Sequence, residues 1–183
     1  MKEQFHAITT IANGLLNVIK SECEASAAFD PTALPVHQHP AREKFIGIWD
    51  TGATNTVITQ EVVDRCLLKP TGVTRVHGIG GLKPTLTFLV NITIMDGRIH
   101  IYNLPVTLGE LPAGSHLLIG MDIIARGDFA ITNVGGKTVF SFRIPSLKTI
   151  DYYAEAMAQN AQLQRVADKK ARKANKYKKG YHR

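Results

Sequence analysis

Residues 46–58, with the sequence IGIWDTGATNTVI, form an apolar segment that runs into a loop of small residues and then resumes. The only ionisable side chain in this stretch is that of Asp50. A carboxylate at the end of a buried strand is costly unless it is hydrogen-bonded, so its presence needs a physical reason. Thr51 supplies a hydroxyl that can brace the loop, and Gly52 supplies a backbone free of side-chain obstruction. By itself, however, this triplet is also typical of an ordinary turn.

Two later segments change the interpretation of the triplet. Residues 76–82, VHGIGGL, precede a segment in which apolar residues alternate with others from 85 to 94, and they predict a flexible hairpin tip between two strands. Residues 116–124, HLLIGMDII, predict an apolar strand, a glycine and a short apolar helix. Taken separately, these segments would be an ordinary turn and an ordinary piece of core.

In this order and at these spacings, the three segments resemble the retropepsins, the single-lobed aspartic proteases of retroviruses and their cellular and bacterial relatives. The resemblance covers residues 43–146 and implies a mostly β fold, a closed β-barrel lobe with one short helix. Because the Asp-Thr-Gly triplet occurs once in the chain, the resemblance also implies that catalysis requires a homodimer.

The resemblance implies a role for each site residue. Asp50 would be catalytic, one from each subunit, and Thr51 and Gly52 would support it. Gly120 would let its segment pass close behind the catalytic loop, and Asp122 would be structural, as a cap of the short helix that follows. The residues expected to contact substrate lie after the triplet and at the flap tip: Ala53, Gly78, Ile79, Gly80 and Gly81.

The chemistry implied by the resemblance needs no metal or organic cofactor. Two carboxylates a few ångströms apart cannot both ionise cheaply, so the pair holds one proton and can activate a water against a peptide bond. The expected partners are a second copy of the chain and an extended peptide or protein substrate. The rival hypothesis is a catalytically idle dimer that uses the same fold to bind a protein or a nucleic acid.

The flanking segments predict helices. In residues 1–29, apolar side chains recur at steps of three and four and predict an amphipathic helix. Residues 30–42 contain three prolines and predict an extended linker, in which His37 and His39 lack a third metal ligand. Within the domain, hairpins are predicted at Asp96-Gly97 and at Gly135-Gly136.

The net charge of +7 resides in the C-terminal segment. Residues 148–183 contain ten Lys and Arg against three acids, whereas the rest of the chain is balanced. Residues 147–183 therefore predict a basic tail that is helical or disordered. Two roles stay open for residues 165–183: a solvated end of the chain, or a surface that binds nucleic acid through its phosphates.

Length and composition limit the remaining classes. With 183 residues, 44% of them apolar, the chain has enough material for one domain with appendages. Cys23 and Cys66 are the only cysteines and form no disulfide framework, so we expect a reduced, cytoplasmic protein. No apolar run approaches the roughly 18 residues of a membrane-spanning helix, and no membrane partner is expected.

Overall fold

The structure is a computed structural model that describes residues 5–78, 81–94 and 96–180. The chain divides into two compact units, Met1–Leu147 and Lys148–Arg183. The predicted boundary after residue 146 lies close to this division. None of the described helices is both long enough and apolar enough to cross a membrane.

The described part of the first unit is mostly β, with two short α-helices. Its strands are β1 His6–Ile11, β2 Lys20–Ala27, β3 Glu43–Trp49, β4 Val57–Ile58, β5 Gly72–Gly78, β6 Gly81–Ile94, β7 Ile99–Leu108, β8 Leu117–Ile119, β9 Asp128–Thr132 and β10 Val139–Ile144. Its helices are α1 Gln60–Arg65 and α2 Met121–Ile124. The expectation of one short helix is therefore wrong, because α1 was not predicted.

Six of the strands close into a barrel. The larger sheet has the order β2-β3-β8-β4-β7-β6-β5, and an additional pairing of β2 with β6 joins its two sides. The strand β5 pairs with the outer part of β6, from Gly72↔Thr87 to Gly78↔Gly81, and so extends beyond the closed part as a long hairpin. The predicted closed, mostly β barrel is confirmed.

A second, three-stranded sheet has the order β1-β10-β9 and packs against the end of β3, directly before Asp50. The contact is made by Trp49, which is 6% exposed and lies at the end of β3. Its ring centroid is 4.8 Å from that of Phe142 and 5.2 Å from that of Phe140. The indole Nε1 donates a hydrogen bond of 2.8 Å to Ser21 Oγ, so the polar edge of this buried ring is satisfied.

The predicted N-terminal helix over residues 1–29 is wrong. Residues 6–11 and 20–27 are strands, and residues 1–4 lie outside the described part. Residues 8–11 read ITTI, and such β-branched side chains favour a strand. In β2 the inward residues Ser21, Cys23 and Ala25 follow a period of two, a weak signal because two of them are small and one is polar.

The predicted domain boundary at residue 43 is also wrong, since β2 pairs with β3 from Lys20↔Ile48 to Ala25↔Glu43. Residues 30–42 do form a mostly exposed connection, but it joins two neighbouring strands of one barrel. It contains a single 3-10 turn at Val36–Gln38. The domain therefore begins with the first described strand and not after the prolines.

The two hairpins predicted from glycine-containing turns are confirmed. β6 pairs with β7 around Asp96 and Gly97, which have φ of 51° and 84° as such a turn requires. β9 pairs with β10 around Gly135 and Gly136, whose φ values are also positive. In both hairpins, the turn residues correctly predicted where one strand ends and the next begins.

The second unit contains one long helix, α3 Tyr152–Gly180. Asp151 caps its start, because the Asp151 Oδ1 atom accepts a hydrogen bond of 2.9 Å from the Ala154 N–H. All side chains described in this helix are exposed. Residues 181–183 lie outside the described part of the chain.

Candidate active site

The Asp50 loop begins where β3 and β8 end side by side. These strands run parallel, with Trp49 opposite Ile119, and the Asp50 N–H donates a hydrogen bond of 3.0 Å to the Ile119 carbonyl. The carboxylate Oδ1 of Asp50 accepts a hydrogen bond of 2.8 Å from the Gly52 N–H. Asp50 is half-buried, whereas Thr51 and Gly52 are exposed. The carboxylate is thus held by its own loop and remains accessible.

Gly120 lies directly behind this loop, as the sequence predicts. A Cβ atom at Gly120 would be 2.7 Å from both the carbonyl carbon and the oxygen of Asn55. It would also lie 3.0 Å from the carbonyl oxygen of Ala53. Real side chains do not tolerate such distances to backbone, so this close approach requires glycine. The next residue fastens the contact, because Met121 N–H donates to the Ala53 carbonyl at 2.8 Å.

Asp122 fixes the far end of the loop through Thr56, which is fully buried. The Thr56 N–H and hydroxyl donate to the two carboxylate oxygens of Asp122, each at 2.8 Å. The Thr56 hydroxyl oxygen in turn accepts a hydrogen bond of 3.3 Å from the Gly120 N–H. Hydrogen bonds to a charged group are among the stronger ones, so this pair holds the loop rigidly.

The interpretation of Asp122 as a helix cap is wrong. Gly120 occupies the N-cap position of α2 and makes no side-chain cap, whereas Asp122 lies inside the helix. Sequence analysis also missed Thr56. The only signal was a hydroxyl residue in an otherwise apolar segment after the triplet, which alone cannot reveal a partner 66 residues away in the chain.

Gly78 and Gly81, the described residues of the predicted flap, belong to the strands β5 and β6. Gly78 ends β5 and pairs with Gly81, which begins β6 with a φ of 88°. Ile79 and Gly80, the central residues of the predicted flap tip, lie outside the described residues. The structure thus brings Asp50, Gly120 and Asp122 together, whereas Gly78 and Gly81 lie on the separate strands β5 and β6.

A cavity of about 370 Å³ adjoins the end of the Asp50 loop. Asn55 contributes to it from the loop, and Thr74 and Thr87 contribute from β5 and β6. Arg126 lines it from the segment after α2, with its Nε donating to the Asp122 carbonyl at 2.9 Å. The cavity therefore connects the loop with the flap hairpin and carries a positively charged residue.

A larger cavity of about 640 Å³ lies at the other end of β8, lined by residues 59–61 and 108–116 together with Thr85. The three residues of β8 separate it from the Asp50 loop by about 10 Å of strand. This larger cavity contains ionisable side chains of its own, with His116 Nε2 and Glu61 Oε2 3.4 Å apart. We nevertheless place the candidate site at Asp50, because its carboxylate lies in a loop that Gly120 and Asp122 fasten from behind, whereas Glu61 is an exposed side chain. Within the described part of the chain, no three His, Cys, Asp or Glu side chains could together hold a metal ion.

Both cysteines are free and buried in the barrel. Burial raises the pKa of the Cys23 thiol to about 12, with Glu24 and Glu22 adding to the effect. Burial also raises the pKa of the Cys66 thiol, to about 11. A thiol is nucleophilic only as the thiolate, so neither cysteine is suited to act as a catalytic nucleophile.

Comparison with known proteins supports the similarity of this part of the chain to a protein family. Residues 43–123 match the family model described as aspartyl protease. This range contains the Asp50 loop, the flap hairpin and most of α2. The barrel thus has a retropepsin-like fold. This part of the chain is similar to the aspartyl proteases. The sequence has no match among the curated proteins.

Solved structures of the same class are similar to the chain at low identity. A retropepsin-like aspartic protease from Rickettsia conorii is 15% identical, with 79% of this chain and 98% of that chain covered and a TM-score of 0.44. The EIAV protease in complex with the inhibitor HBY-793 is 26% identical, with 45% and 75% covered and a TM-score of 0.36. The retroviral protease-like domain of Ddi1 from Leishmania major is 14% identical, with 75% and 99% covered and a TM-score of 0.37.

Proposed function

We propose that two copies of this chain form an aspartic endopeptidase, in which one Asp50 from each copy activates the water that attacks a peptide bond. The observation that carries the proposal is the Asp50 loop itself. A half-buried carboxylate is held by the Gly52 N–H, in a loop fastened from behind by Gly120 and by the Thr56–Asp122 pair. These contacts hold the carboxylate in a fixed position. A catalytic group needs such positioning, whereas an ordinary surface turn does not need it.

The second copy is needed for chemical reasons. General acid–base catalysis on a peptide bond requires both a base and an acid, and one carboxylate cannot be both in the same step. The chain contains one Asp-Thr-Gly triplet. Two Asp50 carboxylates brought close together would share one proton, and the resulting apparent pKa values would belong to the pair. The exposed Thr51 hydroxyl is suited to bind the loop of the partner copy.

In the proposed reaction, the ionised Asp50 accepts a proton from the shared water as the water oxygen attacks the carbonyl carbon. The protonated Asp50 of the other copy donates a hydrogen bond to the developing oxyanion. Collapse of the tetrahedral intermediate breaks the C–N bond, and the leaving nitrogen receives a proton from the carboxyl pair. This cycle consumes one water and releases two peptides.

The proposed substrate is an extended peptide. Its backbone would pair with the flap hairpin as an added strand, contacting the segment Gly78–Gly81, while Ala53 contacts it from the loop side. The cavity that contains Asn55 and Arg126 would receive a side chain some positions from the cleaved bond. Closure of the flap would exclude bulk water during the reaction.

The test is the substitution Asp50→Asn, which removes the ionisable group and keeps the size of the side chain. We expect peptide-library cleavage, read by mass spectrometry, to fall by about two to four orders of magnitude, the usual contribution of acid–base catalysis. Circular dichroism and sedimentation should remain those of the unsubstituted protein. The matched control is Asp64→Asn, which changes an exposed aspartate of α1 in the same way and should leave cleavage intact. Undiminished cleavage by Asp50→Asn would refute the proposal in favour of a non-catalytic binding role.

A further inference from the structure

The C-terminal helix α3 presents several of its basic residues on one face. Arg165, Lys169, Arg172 and Lys173 follow each other at steps of four, three and one. With about 100° of rotation per residue, these four lie within an arc of roughly 100° around the helix axis. We call them the basic stripe. Lys170 borders the stripe, about 60° around the axis from Lys173.

The charges of the basic stripe are not neutralised within the described residues. All four side chains are exposed, and none of them belongs to an ion pair there. The nearby acid Asp168 instead accepts a hydrogen bond of 3.0 Å from the Gln164 amide. A row of unpaired cations along roughly 12 Å of rigid helix is complementary to a row of anions and not to a single one.

We propose that the basic stripe binds the phosphate backbone of double-stranded DNA, without sequence preference. A polyanion with regularly spaced phosphates matches the row of cations, and binding gains free energy from the release of condensed counterions. The major groove of B-DNA, about 12 Å wide, admits an α-helix. This property belongs to the second unit of the chain and is independent of the proposed peptidase activity.

Two features of residues 165–173, the part of α3 that carries the basic stripe, favour a duplex over other polyanionic partners. The nine residues from 165 to 173 contain no aromatic side chain, so this segment offers no platform on which single-stranded bases could stack. Its apolar residues are Val166, Ala167 and Ala171, which is too little to insert into a lipid interface. Both single strands and anionic membranes are therefore poorer matches than duplex DNA.

The experiment measures binding of the full chain to a short fluorescein-labelled DNA duplex of random sequence, by fluorescence anisotropy over a series of salt concentrations. We expect the logarithm of the binding constant to fall linearly with the logarithm of salt concentration. Lys173→Ala and Lys169→Ala should each reduce the magnitude of this slope by about 0.9, the contribution of one phosphate contact. Lys69→Ala makes the same charge change at an exposed lysine of the first unit and should leave the slope unchanged.

Four results would overturn the proposal. Equal reduction of the slope by Lys69→Ala and Lys173→Ala would mean that net charge, and not the stripe, governs binding. Tighter binding to a single strand of the same sequence would exclude the duplex as the preferred partner. Absence of duplex binding would exclude duplex DNA as the partner. Tighter binding to phosphatidylserine vesicles than to the duplex would identify an anionic membrane as the better partner. Peptide cleavage is a separate readout, which none of these substitutions should change.

Discussion

Gly120 is the residue whose replacement tests the architecture of the site most directly. In Gly120→Ala, the added Cβ would meet the backbone of Asn55 at 2.7 Å, and backbone cannot rotate out of the way as a flexible side chain can. We expect the Asp50 loop to shift and the free energy of unfolding to fall by about 1–3 kcal/mol, as for other overpacked sites. Chemical denaturation would measure the stability, and peptide cleavage would fall with it.

The matched control for this substitution is Gly14→Ala. A Cβ at Gly14 meets nothing within 4 Å, so the same chemical change is made in open space. Its effect on the free energy of unfolding should stay within about 0.5 kcal/mol. If the two alanine variants were equally stable and equally active, Gly120 would not support the loop in the way that its contacts indicate.

A second prediction at the residue scale concerns Asp128, which joins β9 to the end of β10. The Ser146 hydroxyl, the Arg143 guanidinium and the Leu147 N–H all donate hydrogen bonds to its carboxylate. In that order of importance, they hold the pKa of Asp128 well below its ordinary value. A depressed pKa in the folded state means that the stabilisation is present above the ordinary pKa and is lost as pH falls below it.

We therefore expect Asp128→Asn to lower stability near neutral pH. The difference from the unsubstituted protein should narrow as pH falls below about 4, where the unfolded-state carboxyl becomes protonated. Urea unfolding at a series of pH values would measure both variants. A stability difference that stayed constant across this range would show that the Asp128 charge is not coupled to folding.

The elements differ in how far sequence alone could define them. The β6–β7 and β9–β10 hairpins could be predicted, because Asp96-Gly97 and Gly135-Gly136 impose local backbone geometry. The strands β1 and β2 could not, because their helix-like periodicity is local and their pairing partners β10, β3 and β6 are distant in the chain. For the site, Asp50 and Gly120 were expected from the resemblance of their segments to the retropepsins, whereas the hydrogen bonds between Thr56 and Asp122 depend on the fold.

The corrected assignment of β1 and β2 makes a prediction at the element scale. Deleting residues 1–29 removes one strand of each sheet and exposes the β3 and β6 edges that β2 covers. We expect this truncated chain to lose cooperative thermal unfolding, because the closed barrel is broken. Truncation after Leu147 is the control, since it removes a separate compact unit and should leave the melting transition of the first unit unchanged. A normal melt after the N-terminal deletion would restore the interpretation of residues 1–29 as an appendage.

At the scale of the whole molecule, the proposed shared site makes activity depend on protein concentration. Each chain contributes one Asp50, so cleavage per chain should decrease on dilution as dimers dissociate. Activity would be measured over a dilution series beside the sedimentation coefficient, and the two midpoints should coincide. Activity per chain that persisted unchanged in a purely monomeric sample would contradict the shared site, while leaving the fold assignment intact.

The pairing of β1 with β10, in which His6 lies opposite Ile144, also constrains how the protein is made. During synthesis, β1 leaves the ribosome long before β10, its partner in the sheet. The edge of β1 therefore stays unpaired while the strands of the barrel are synthesised. Contacts between such distant parts of a chain close slowly, since the loop entropy is lost before the contact is gained. Maturation of the nascent chain is therefore tied to the emergence of residue 144, and until then its N-terminal edge is the part most in need of protection from other chains.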